Sequence, residues 1–255
     1  MNKINIYDDL YFNGKKLSDF GGILHNQYES ARTLLPTTET STISIPGIDG
    51  EIPFETRYGI REWTEDFYFE DMVDIREIAG WLGAKECSDF YYINDDIKIK
   101  AKVSDTVDFE VYCNGCNKDR YMYSGLMTIS FVAYDPYYQL INPIYYEFST
   151  VGIKHFENKG NRQSLPIIRF EVVNTQNIKF KVNNKLYEVK EVNNWCEIDS
   201  RKRSVKDSIG NKRNNFTSEG DKIAKFPVLK IGDNTFELIS GSIRNVIIYC
   251  NSRFI

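Results

Sequence analysis

Apolar and polar residues alternate along most of this chain, with the two-residue period of strands that bury one face. In Thr128–Tyr134, Ile129, Phe131 and Ala133 fall on one face and Thr128, Ser130, Val132 and Tyr134 on the other. Asp135-Pro136 ends the strand, because proline lacks an N–H for the ladder and holds the preceding residue extended. We read Thr128–Leu140 as the close of a first domain and the bridge to a second. Upstream, Asn13-Gly14 predicts a hairpin turn within Tyr11–Leu17, since both residues tolerate positive φ. Phe20-Gly21-Gly22-Ile23 marks a bend into another strand. Thr42–Ile45 alternates, Pro46–Gly50 forms a loop, Glu51–Tyr58 leads back and Trp63–Phe69 alternates again. Ile97–Val103 alternates strictly, with lysines to solvent. Phe109–Cys113 and Tyr121–Tyr134 read as a long hairpin with its tip at Cys113–Arg120.

One segment has a helical period. Met72, Ile75, Ile78, Ala79 and Leu82 recur at helical spacing and predict a helix over Asp71–Leu82. Asp71 is the expected N-cap, Asp74 suits the positive end of the dipole and Gly83 the terminator. Gly80 weakens the helix by roughly 1 kcal/mol relative to Ala and marks close packing against a neighbour.

Beyond Asn158 the pattern is short strands: Ile167–Val173, Ile178–Val182, Leu186–Val189, Trp195–Ile198, Val228–Ile231, Thr235–Leu238 and Asn245–Tyr249. Turn signals at Asn183-Asn184, Asn193-Asn194 and Gly232-Asp233-Asn234 separate them, as in a β-sandwich. The expected fold is mainly β: an antiparallel, barrel-like N-terminal domain with one helix over 1–140, a crossing over 141–157 and a sandwich over 158–255.

Composition narrows the function. Aromatics make up 14% of the 255 residues, which favours strands, and the net charge of −4 supplies no electrostatic basis for holding nucleic acid. The N-terminus lacks the apolar stretch of about 7–15 residues of a signal peptide, and no run approaches the roughly 18 apolar residues of a membrane helix. Five scattered cysteines fit a reducing compartment better than a disulfide scaffold.

Candidate chemistry is sparse. Cys113-Asn-Gly-Cys116 lacks the second pair a structural zinc site needs, and it lies between strands rather than at a helix start, so we expect a hairpin tip. No metal, cofactor or catalytic residue is predicted. Asp8-Asp9, Glu65-Asp66 and Asp95-Asp96 are adjacent pairs whose members point to opposite faces of a strand. Glu171 and Glu197 are the pair a glycosidase would recruit, but hydrolase motifs are missing. Arg201-Lys-Arg203, Lys206 and Lys212-Arg213 form a basic run with no interleaved aromatics for base stacking, so it reads as a solvated hairpin.

The ordered pieces resemble the distal tail (Dit) proteins of siphophages that infect Gram-positive bacteria. Phe12-Asn13-Gly14 precedes Phe20-Gly21. Ile45-Pro46-Gly47-Ile48-Asp49-Gly50 is followed by Arg57-Tyr58-Gly59, then by Ile75-Arg76-Glu77-Ile78-Ala79 with Trp81-Leu82. Ile129-Ser130-Phe131 and Asp135-Pro136-Tyr137 close the first domain. Asn158-Lys159-Gly160-Asn161, Pro166-Ile167-Ile168, Ile198-Asp199-Ser200, Phe226-Pro227-Val228-Leu229 and Ile231-Gly232-Asp233-Asn234 carry the likeness into a galectin-like sandwich. The resemblance implies a structural virion protein rather than an enzyme, made in the host cytoplasm and placed at the tail tip. It implies a homohexameric ring joining the tail tube protein to tail-tip, receptor-binding or baseplate proteins, with DNA passing through the lumen unread.

A closed ring would pair the exposed sheet edges of its subunits. Arg57, Tyr58, Arg61 and Trp63 are the interface candidates, because Arg, Tyr and Trp dominate interface hot spots. Trp63 filling the core is the competing reading. The alternative function is a carbohydrate-binding sandwich, in which Trp195 would stack on sugar, or else fill the core.

Overall fold

The computed structural model describes residues 9–25, 35–114, 122–149 and 152–255. The chain divides into two compact units, Met1–Tyr138 with Ile255, and Gln139–Phe254.

The first unit runs β1 (Leu10–Phe12), β2 (Lys15–Lys16), β3 (Gly22–His25), β4 (Thr38–Ile43), β5 (Ile52–Tyr58), β6 (Arg61–Asp74), α1 (Ile75–Leu82), β7 (Ser88–Tyr92), β8 (Ile97–Val103), β9 (Asp108–Asn114) and β10 (Met122–Ala133). Its main sheet has the order β2-β1-β7-β8-β10-β6-β3, with β9 also against β10. The Asn13-Gly14 turn has φ 45° and 84° and joins β1 to β2 in the register Phe12↔Lys15. Alternation along β6 and β10 sends Phe67, Phe69, Ile129 and Phe131 to one side, where they meet Phe12 in the core. Each such burial stabilises by about 1.5–3 kcal/mol.

The helix begins later than its periodicity predicts. Pairing of β6 with β10 continues through Tyr123↔Val73 and Met122↔Asp74, so residues 71–74 remain extended. Asp74, not Asp71, is the N-cap, and its carboxylate accepts the Arg76 N–H at 2.9 Å. Met72 therefore leaves the apolar stripe and is exposed, while Trp81 joins Ile78 and Leu82 in the core. Gly83 ends the helix with φ −75°, outside the left-handed region. Gly80 faces open space, so it marks no close packing.

In the second unit β11 (Tyr138–Leu140), at the boundary, is followed by β12 (Tyr145–Phe148), β13 (Ile153–Asn158), β14 (Ile167–Val172), β15 (Gln176–Val182), β16 (Lys185–Val192), β17 (Trp195–Asp199), β18 (Ser204–Asp207), β19 (Phe216–Ser218), β20 (Gly232–Ser240), β21 (Ile243–Tyr249) and β22 (Arg253–Phe254). Two antiparallel sheets, β12-β21-β14-β17-β18 and β13-β20-β15-β16-β19, supply one core. Phe170 of one sheet meets Phe180 and Phe236 of the other, with ring centres 5.0 and 6.1 Å apart. The stretch expected to be a plain crossing over 141–157 contains β12 and β13, both of which pair into these sheets. Val228–Ile231 is not a strand; Leu229 makes only an isolated bridge to Ser164.

Candidate interaction surfaces

Strands β4 and β5 form a two-stranded sheet of their own. Thr37 fastens its base to the start of β6, with its N–H and its Oγ1 both donating to the Ile60 carbonyl at 3.0 and 2.9 Å. Beyond that base, every residue of β4 and every residue of β5 up to Arg57 is exposed. The register pairs Thr38 with Tyr58, Thr40 with Thr56 and, past a bulge, Ile43 with Ile52. Directly opposed residues share a face, so Tyr58, Thr56, Thr38 and Thr40 line one side of the arm near its base. Past the bulge, where Phe54 is the extra residue of β5, Ile43 and Ile52 fall on the opposite side. Glu39, Arg57 and Glu55 line that opposite side nearer the base, where Arg57 bonds Glu39 at 2.7 Å. The far end of the arm leaves Ile43, Ile52 and Phe54 uncovered, Phe54 by 77%. An isolated two-stranded hairpin is marginal in water, and an uncovered apolar face is a surface awaiting a partner.

The four interface candidates part company on this scaffold. Arg57 and Tyr58 lie on the arm, the tyrosine edge-on to Tyr137 with ring centres 6.4 Å apart. Arg61 is buried: its Nε donates to the Pro136 carbonyl at 3.3 Å, and its guanidinium lies 4.9 Å from the Tyr138 ring centre. Trp63 packs into the core, stacked on Phe131 and edge-on to Phe90. Phe54 lies outside the four candidates: Ile52-x-Phe54-x-Thr56-x-Tyr58 alternates in sequence, and the bulge that re-aims these side chains leaves no mark in that pattern. That pattern is identical to a half-buried strand.

A second surface lies beside the helix. A groove of about 730 Å³ opens between α1 and the β8–β10 region, walled by Ile75, Ala79, Val107, Phe109 and Met127, with Lys85, Lys102 and Asp105 also lining it. The start of α1 is fixed by Asp74, which accepts from the Arg76 guanidinium and backbone N–H. These bonds hold its carboxyl at about 2, below its ordinary 3.8.

Other candidates converge on nothing catalytic. No group of three His, Cys, Asp or Glu side chains is placed to hold a metal among the described residues. Residues 115–121, and with them Cys116 and most of the expected hairpin tip, lie outside the described residues. Trp195 is half-buried because β17 turns Cys196 and Ile198 inward. The Arg169 guanidinium covers its ring at 5.4 Å, which leaves less of the indole for a sugar. Glu171 pairs across from Trp195, and Glu197 across from Arg169, on that same sheet face. In the basic run, the Asp199 carboxylate ties the turn by accepting the Arg201 and Lys202 N–H groups at 3.0 and 2.9 Å. Among the described residues no helix is long and apolar enough to cross a membrane.

Residues 18–133 match the family described as the phage tail protein RIFT-related domain. The chain also has the fold of the Dit protein of phage SPP1, described as a paradigm of the hub adsorption apparatus in phages infecting Gram-positive bacteria. That likeness has 12% identity and a TM-score of 0.69, and covers 94% of this chain and 97% of that one. A chain of the phage P2 baseplate, in its activated conformation with Ca, aligns at 8% identity and a TM-score of 0.44 over 94% and 97% of the two chains. No curated protein sequence matches the chain significantly.

Proposed function

We propose that this chain is a Dit-like structural tail protein of a siphophage and forms a homohexameric ring hub joining the tail tube to the tail-tip or baseplate proteins, a reading supported by the family match over residues 18–133 and by the fold. The observation that carries the ring is the arm β4–β5, which leaves Ile43, Ile52 and Phe54 uncovered at its far end, on the unit that contains the residues matching the phage tail family. A heterologous contact repeated around an axis closes into a ring and removes such surfaces from water. In this reading residues 1–140 form the ring, and Arg57 and Tyr58 act at its interface. Arg61 and Trp63 hold β6 in place behind them. The sandwich over 158–255, galectin-like in this reading, serves as the docking platform for receptor-binding or baseplate proteins. The lumen passes DNA without reading it, in keeping with the net charge of −4. The protein acts by assembly at the virion tail tip and performs no catalytic step.

The test is the mass of the purified chain by light scattering across concentration, with negative-stain images of the same sample. The expected result is a particle of six 29.7 kDa chains, or a pair of such rings, with sixfold averages. A chain that stays monomeric throughout and is missing from purified tail tips would overturn the reading.

A further inference from the structure

We propose that the arm β4–β5 of one subunit seats its apolar far end in the groove beside α1 of a second copy of this chain. The inference rests on the ring reading and names the contact that would build it.

Three observations on the first unit support the pairing. The far end of the arm leaves Ile43, Ile52 and Phe54 uncovered, exposed by 50, 49 and 77%. The groove supplies an apolar trough of about 730 Å³, within the range of roughly 300–1,000 Å³ in which proteins hold compact apolar ligands. The charges are complementary. The segment from Ile43 to Glu55 carries Asp49, Glu51 and Glu55 and no Lys or Arg, whereas the groove carries Lys85 and Lys102 against Asp105. Acidic groups flanking an apolar anchor, facing a trough of net positive charge, favour this partner and steer its approach.

The geometry also suits closure. Seven residues of β5 at about 3.3 Å each reach more than 20 Å from the base at Gly59. A Cβ at Gly59 would fall 2.5 Å from the Thr37 Oγ1, so the two chains at the base are held tightly together. Arm and groove are different surfaces of the same unit, so each copy donates one and receives the other. That head-to-tail arrangement extends until the rotation closes it.

Two substitutions test it in the full chain. Phe54→Glu spoils the arm and Ala79→Glu spoils the groove, and both positions are exposed, so folding is preserved. Each variant should lose at least about tenfold in association constant by sedimentation, the effect of removing a hot-spot contact. An equimolar mixture should stop at one-to-one pairs, because one variant keeps an intact groove and the other an intact arm. In parallel, a benzophenone side chain at position 54 is photolysed and the cross-linked peptides are mapped by mass spectrometry. Cross-links from position 54 into residues 75–85 or 102–111 of another copy are expected. Oligomers that survive both substitutions, with cross-links elsewhere, overturn the docking and leave the ring reading standing. The expected cross-links in pairs that never close uphold the docking and overturn the hexamer. Neither oligomer nor intermolecular cross-link at any concentration overturns the docking, and absence from purified tail tips as well overturns the ring reading.

Discussion

Trp81 joins the helix to the sheet of the first unit, and replacing it should unlock that junction. The indole is 4% exposed and packs on Phe20, Phe67 and Phe12, with ring centres 4.8, 6.0 and 6.1 Å away. Its Nε1–H donates to the Phe12 carbonyl at 2.5 Å, while its own carbonyl accepts from the Asn13 side chain at 2.7 Å. Removing the ring in Trp81→Ala should cost about 3–5 kcal/mol for lost burial and cavity. The Phe12 carbonyl then loses its indole donor, which adds about 1–3 kcal/mol. Trp81→Phe keeps most of the ring contact and loses the hydrogen bond, so about 1–3 kcal/mol is expected. Against a total stability of about 5–15 kcal/mol, the alanine variant would leave the first unit close to unfolding. Hydrogen exchange read by mass spectrometry should show the loss in peptides spanning 10–12, 67–69 and 75–82. Peptides from the second core, around 168–182, should exchange as in the wild type, because that core shares none of these residues. A loss below about 1 kcal/mol in Trp81→Ala would refute this account of the junction, as would a Trp81→Phe variant just as unstable.

Other consequences follow from single contacts. Asp74 has its folded pKa depressed to about 2 from 3.8, so its contribution is present above pH 3.8 and is lost as the pH falls towards 2. The stability gap between wild type and Asp74→Asn should narrow across that window in acid unfolding curves, and a gap that stays constant would count against the cap. At Gly125, a Cβ would meet the Glu110 carbonyl oxygen at 2.0 Å, a backbone atom that cannot swing aside. Gly125→Ala should cost about 1–3 kcal/mol and release β9 from β10, seen as faster exchange over residues 108–112. Asn234 is fully buried and bonds both the N–H and the carbonyl of Lys230 at 3.0 Å, and the Gly232 carbonyl at 2.7 Å. Asn234→Leu should destabilise the second unit by on the order of 3 kcal/mol in urea unfolding, since several buried partners lose their bonds at once.

Local periodicity, turn residues and composition established that the chain is mainly β, that Asn13-Gly14 turns a hairpin, and that Leu82 ends the helix. Those features depend on neighbours in sequence, whose φ preferences and side-chain period act wherever the segment lies. Ordered motifs also pointed to the phage tail family, which the match over residues 18–133 then met. Long-range pairing decided the rest. The helix lost its first predicted turn because β10 extends the ladder to Asp74, a partner some fifty positions away in sequence. Strands β18 and β19 carry weak patterns of their own and exist through β17 and β16. Trp63 and Phe54 both sit in alternating apolar stretches, yet one stacks on Phe131 and the other stands in solvent. A two-residue period says which side chains share a face. Only the tertiary structure decides whether this chain covers that face or leaves it for another molecule.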